Sequence, residues 1–229
     1  MSSKARKVKK AYIGDTNGKA KLCYSAFSGK FGLASYDGMS HTTYDGTTAS
    51  TSTHDYNTGG ANISIVYCNG YWWGFRTSNG QLYRSSDFIS WTQVSLSGAS
   101  PDPNSYNDGS IIADNRYLYM RESVYYITVY DTETQTVKKR FNHVNYTLTS
   151  FGLVSNGKII LSWNTISSPT SYYYTIYDAT TDTESSMIGT TYALRFPKYA
   201  VSEDRVVLQS NYTLGYFKNN TITLGSTPF

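Results

Sequence analysis

"ISIVYCNGYWWGF", Ile63 to Phe75, is an apolar run, the pair Asn69-Gly70, and a second apolar run. Asn-Gly between two such runs is the strongest short signal for a β-hairpin, because a type I′ turn needs positive φ at both central residues. Three further stretches repeat the pattern: "GSIIADNRYLYMR" (Gly109 to Arg121), "FGLVSNGKIILSW" (Phe151 to Trp163) and "KYAVSEDRVVLQS" (Lys198 to Ser210). Their turns fall at Asn115-Arg116, Asn156-Gly157 and Asp204-Arg205, and Asn and Asp are the next most tolerant residues there. A fainter copy, "SGKFGLAS" (Ser28 to Ser35), puts a turn at Ser28-Gly29.

Taking the second turn residue as the marker gives Gly29, Gly70, Arg116, Gly157 and Arg205, at intervals of 41, 46, 41 and 48 residues. The second half of each unit repeats as well. "VYYITVYDTETQTVKKRF" (Val124 to Phe141) and "YYYTIYDATTDTESSM" (Tyr172 to Met187) each hold an alternating strand, Tyr-Asp, a Thr-rich turn and another strand. "GQLYRSSDFISWTQVSL" fills that slot in an earlier unit and "TLGYFKNNTITLG" in the last. A period in the forties with several strands per unit reads as the blades of a β-propeller. The expectation is an all-β chain, a five-bladed propeller of four-stranded blades, with the first strand of each blade innermost. An irregular sandwich is the competing reading. The polar stretch Ser40 to Gly60 fits either the outer edge of the first blade with a loop or an insert, since its composition builds little core.

The composition agrees. Charged residues are only 16% of the 229, against 23 Tyr and many Ser, Thr, Asn and Gly, which favours short strands and polar turns over charged helices. No apolar run is long enough for a membrane span, so no membrane insertion is expected. The basic N-terminus is followed by "AYIGDTNG" and not by the apolar core of a secretory signal. Cys23 and Cys68 both fall in strand-like segments and are expected as buried free thiols. His41, His54 and His143, with Asp45 and Asp55, show no ligand spacing for a metal, and no cofactor motif is present.

One stretch invites a catalytic reading. "SSDFISW", Ser85 to Trp91, resembles the blade hairpin of five-bladed glycoside hydrolases and the Asp-box turn of sialidases. In those families the Asp caps the turn and the Trp packs between sheets, so the resemblance implies fold and not chemistry. Glycoside hydrolysis ordinarily needs two carboxylates, and the resemblance implies that they would stand where the inner strands begin. Of the segments before Ile63, Ile111, Leu153 and Ala200, only "NSYNDGS" offers one, Asp108. A carbohydrate-active propeller with Asp108 and the distant Asp55 as its acids is therefore the alternative to a non-enzymatic chain. Tyr71, Trp72 and Trp73, with Asp108, are candidate glycan contacts. Adjacent strand residues point to opposite faces, so at least one of the Trp packs between blades.

The charge is concentrated at one end. Lys4, Arg6, Lys7, Lys9 and Lys10 carry the whole excess: 20 basic residues face 16 acidic ones, and without these five the balance is 15 to 16. "KARKVKKAYIGDTNGKAKL", Lys4 to Leu22, resembles an N-terminal segment of structural proteins of tailed bacteriophages that infect Gram-positive hosts. The match runs from Ala5 to Gly14, with a shortened second copy from Asn17 to Leu22. It implies a virion component assembled in the host bacterial cytoplasm. Its partners would be other virion proteins of the capsid, neck, tail or baseplate, and host-surface glycans. On this reading residues 1–22 are an anchoring arm, with Lys4, Arg6, Lys7, Val8, Lys9, Lys10, Tyr12 and Ile13 as docking residues, and residues 23–229 are the propeller. Apolar positions alternating with cations around a Gly-Asp-Thr-Asn-Gly turn suit a β-ribbon added to a partner's sheet edge. A solubilising tail is the plainer alternative. Nucleic acid is expected as a partner only through this arm.

Overall fold

The computed structural model describes residues 10–14, 20–25, 31–34, 40–44, 49–53, 63–76, 81–87, 90–97, 111–155, 157–196, 201–202, 205–210, 213–218 and 221–225. Among these there is no helix, and every strand pairing is antiparallel. A ribbon of β1 (Lys10–Gly14) and β2 (Ala20–Ser25) comes first, then a three-stranded sheet of β3 (Phe31–Ala34), β4 (Ser40–Tyr44) and β5 (Ala49–Thr53). The turn expected at Ser28-Gly29 lies outside the described residues. β2 pairs with β1, from Lys10↔Ser25 to Gly14↔Ala20.

The next two sheets have the expected meander. The first holds β6 (Ile63–Cys68), β7 (Tyr71–Arg76), β8 (Gln81–Ser85) and β9 (Thr92–Val94). The second holds β10 (Ile111–Ala113), β11 (Tyr117–Arg121), β12 (Tyr126–Asp131) and β13 (Thr136–Asn142). In the following sheet β14 (Tyr146–Ser155), β15 (Lys158–Thr165) and β16 (Tyr172–Asp178) carry a divided outer edge. β17 (Thr183–Glu184) and β18 (Ile188–Thr190) both pair with β16. In the last sheet the inner edge is divided. β19 (Leu194–Arg195) and β20 (Val201–Ser202) both pair with β21 (Arg205–Ser210), and β22 (Thr213–Lys218) and β23 (Thr221–Leu224) follow. These four sheets are each four strands deep.

The first strands lie together as the repeat predicts: β10 sits beside β6 and β14, and β14 beside β19, β20 and β21. Three apolar layers join the four sheets. Trp73, Phe75 and Leu82 meet Leu118, Met120 and Tyr130. Tyr119, Ile127 and Phe141 meet Phe151, Leu161 and Trp163. Ile160 and Tyr174 meet Leu194, Phe196 and Phe217. Alternate residues of β11 serve different layers, Leu118 and Met120 one and Tyr117 and Tyr119 the next. A strand buried on both faces reads as an unbroken apolar run, which is why "YLYM" lacks alternation.

The hairpin turns divide into two kinds. Asn69 (φ 49°) and Gly70 (φ 81°) form the left-handed pair expected of type I′. Gly157 also has positive φ, 79°. Asn115 and Arg116 do not, and a side chain shapes that turn. The Oδ1 atom of Asp114 accepts from the backbone N–H of Arg116 (2.7 Å) and of Tyr117 (2.6 Å). In the last sheet Ser202 pairs with Arg205, so Arg205 stands in a strand and not in the turn expected at Asp204-Arg205.

Candidate functional site

The two rims of the stacked sheets are built differently. At the rim of the β10–β11 and β14–β15 turns, Asp114 ties two sheets together. Its Oδ2 accepts from the Tyr119 hydroxyl at 2.8 Å and from the Gly157 N–H at 2.7 Å. Burial, the nearby Asp114 charge and this hydrogen bond all push the Tyr119 phenol far above its ordinary range, so it stays a donor. The paired Tyr-Asp motifs cap the next turns. Asp131 accepts from the Glu133 and Thr134 N–H groups and takes a two-pronged contact from Arg116. Asp178 accepts from Thr180 and pairs with Lys158 at 3.2 Å. Burial pushes the Asp131 carboxyl upward, but Arg116 and the two N–H donors outweigh it and hold it below the ordinary carboxylate value. In the earlier sheet Asp87 caps its turn as the Ser85–Trp91 resemblance implies, accepting from the Ser85 hydroxyl (2.9 Å) and the Ser90 N–H (2.7 Å). At this rim Asp87, Asp114, Asp131 and Asp178 each hold a turn.

The opposite rim opens into a groove of about 690 Å³ where β14 and β19 begin and β11 and β15 end. That volume lies within the range of small-ligand sites. Arg121, Thr147, Thr149, Ser150, Asn164 and Arg195 supply its polar lining, with Leu148 and Phe196 as apolar floor. Arg121 is set in place by donating from Nη2 to the Leu148 carbonyl (2.8 Å) and from Nε to the Ser123 carbonyl (3.3 Å). The register of β14 slips between Leu148 and Ser150, so Thr149 is an extra residue in the strand, and its hydroxyl turns back to Ser162. Bulges of this kind bend a strand and re-aim side chains beside functional sites. Ser150 Oγ accepts from the Phe196 N–H at 2.9 Å and fixes the next sheet to the groove wall. Asn164 Oδ1 is buried and finds no hydrogen-bond donor among the described residues. Arg195 is exposed, with no ion pair among them.

The residues singled out from sequence fall elsewhere. Trp73 is no glycan contact: it is 1% exposed, packed on Tyr130, and its indole N–H donates to the Cys68 carbonyl at 3.0 Å. Tyr71 is exposed at 38%, with the Arg84 guanidinium 4.8 Å from its ring centre. Trp72 is half-buried and meets Tyr67, itself 58% exposed, edge to face. These three lie on the β6–β7 hairpin, and none lines the groove. Asp108, Asp55, His54, Lys4, Arg6, Lys7, Val8 and Lys9 lie outside the described residues, while Lys10, Tyr12 and Ile13 lie on β1. Cys68 is a buried free thiol, and burial pushes its pKa up to about 11. His143 pairs with Glu184 at 2.9 Å over the Trp163 ring, and no cluster of metal-ligand residues occurs among the described residues.

Arg121, Asn164 and Arg195 were not found from sequence, although one signal was present. Counting from the turn, Arg121 stands where the neighbouring repeats have Phe75 and Ser162. A guanidinium in an otherwise apolar or small slot marks a place where one unit departs from its copies.

No protein-family profile and no curated protein matches this sequence. Solved structures do match in fold. A chain of the mitotic checkpoint complex aligns with a TM-score of 0.54 at 11% identity, over 95% of this chain and 71% of its own. The C-terminal WD40 domain of Sif2 aligns at 0.58 and 10%, over 89% of this chain and 59% of its own. The computationally designed protein Ika8 aligns at 0.56 and 14%, over 96% and 71%. WD40 repeats are four-stranded propeller blades. The fold is β-propeller-like. Identities this low carry the fold alone.

Proposed function

We propose that this chain is a non-enzymatic structural component of a tailed-phage particle. Its basic segment, residues 1–22, docks it on other virion proteins, and a five-bladed propeller is displayed outward to adhere to host-surface glycans. The virion part of this reading rests on the Lys4 to Leu22 resemblance. The adhesion part is supported by the groove, whose two guanidiniums, three hydroxyls and one carboxamide form a surface for holding an oxygen-rich ligand. Adhesion by a displayed module needs little affinity per site, because many copies on one particle convert weak contacts into avidity.

The test is incorporation. Particles are assembled with the full chain or with a chain lacking residues 1–22, purified, and this protein is quantified by mass spectrometry. The reading expects the full chain in the particle and the shortened one absent. Equal incorporation would move the docking contact to the propeller. Absence of both would remove the virion reading and bring forward the carbohydrate-active alternative, which Asp108→Ala then tests by loss of hydrolysis.

A further inference from the structure

We infer that the groove where β14 and β19 begin binds an anionic carbohydrate, with Arg195 and Arg121 meeting a carboxylate or phosphate and the Thr147 hydroxyl meeting a sugar hydroxyl. This rests on the adhesion reading above and names its ligand class and its site.

Three observations carry it. First, the polar groups of the groove include two guanidiniums, contributed by different sheets, β11 and β19. Arg is the side chain suited to planar, two-pronged recognition of carboxylate and phosphate. Arg121 is pre-positioned by the Leu148 and Ser123 carbonyls, and Arg195 is exposed on the facing sheet. Second, the half-buried Thr147 lines the groove with a hydroxyl that makes no hydrogen bond among the described residues. A sugar hydroxyl can pair with it as donor or as acceptor. Third, the Thr149 bulge and the Ser150 bond to the Phe196 N–H hold the groove walls in place before any ligand arrives. Pre-organisation of that kind is where affinity for a small ligand comes from.

The full-length protein is titrated by calorimetry with four probes. These are trigalacturonate, its uncharged methyl ester, an oligomer of glycerol phosphate, and an oligoacrylate of matching charge that has no hydroxyls. The expected result is binding of trigalacturonate or of the glycerol phosphate oligomer. The methyl ester and the oligoacrylate are each weaker by about tenfold, the loss of one good contact. The tighter of the two hydroxyl-bearing anions identifies the charged group, carboxylate or phosphodiester. Arg195→Ala, an exposed change that leaves the core alone, is expected to remove the preference for charge. Arg195→Lys is expected to restore part of it. Equal binding of the ester, or an unchanged preference in Arg195→Ala, overturns the anion site while adhesion elsewhere on the propeller survives. Equal binding of the oligoacrylate overturns the carbohydrate half. If no probe binds, the inference fails. Adhesion itself fails only if particles lacking this protein also attach to host cells normally.

Discussion

Asp114 is the residue on which the turn rim depends. Four donors converge on one buried carboxylate, two from its own turn, one from Tyr119 and one from Gly157 of the next sheet. Asp114→Ala leaves several of them buried and unanswered, each at about 1–3 kcal/mol. The expected loss is about 3 kcal/mol or more, read from the urea midpoint, and a loss under about 1 kcal/mol would show that water replaces the carboxylate. Asp131 gives the chain a defined acid sensitivity. Its carboxyl is held below the ordinary value, near 3.9. Its contribution is therefore complete above about pH 4 and is lost as pH falls through the lower folded value. Asp131→Asn is expected to be less stable at pH 7 and to show a shallower further decline below pH 4 in thermal melts. Parallel curves for the two proteins would put the acid sensitivity elsewhere. Sequence marked the Tyr130-Asp131 and Tyr177-Asp178 pairs as repeats. It did not mark Asp114, because the fourth donor comes from a residue 43 positions away.

Among the elements, β14 shows what pattern reading captures and what it does not. Its apolar run and its turn were legible at Phe151 to Gly157. The strand begins earlier, at Tyr146, with a Thr-rich stretch that has no clean alternation. The Thr149 bulge explains this, since one extra residue reverses the in–out order along a strand. The same property hid the groove, whose lining comes from a bulge and from strand ends on three sheets. Gly152 lets β14 pack against the last sheet. A Cβ added there would stand 2.7 Å from Phe196 Cβ. Gly152→Ala is expected to destabilise by about 1–3 kcal/mol through overpacking. In a double-mutant cycle, Phe196→Gly, which removes that Cβ, should recover part of that loss, with a coupling of at least about 0.5 kcal/mol. Strict additivity would mean that the two sheets simply move apart.

For the molecule as a whole, each of the middle two sheets is covered on both faces, so the three apolar layers share members and are expected to melt together. With 5-fluorotryptophan incorporated, the resonances of Trp73, in the first layer, and Trp163, in the second, should lose native intensity at the same urea concentration. Separated midpoints would divide the propeller into independent units. At this scale the sequence reading went furthest, because strand order within a blade follows from local hairpins. Its faintest copy was the first unit, whose Ser28-Gly29 turn lies outside the described residues. The turns also differ in how crowded they are. A Cβ at Gly157 would come 2.5 Å from Thr180, whereas nothing lies within 4 Å of one at Gly70. The Asn69-Gly70 loop is thus a permissive graft point. A peptide epitope spliced between these residues would project into open space and give a handle for labelling the protein, without disturbing the groove.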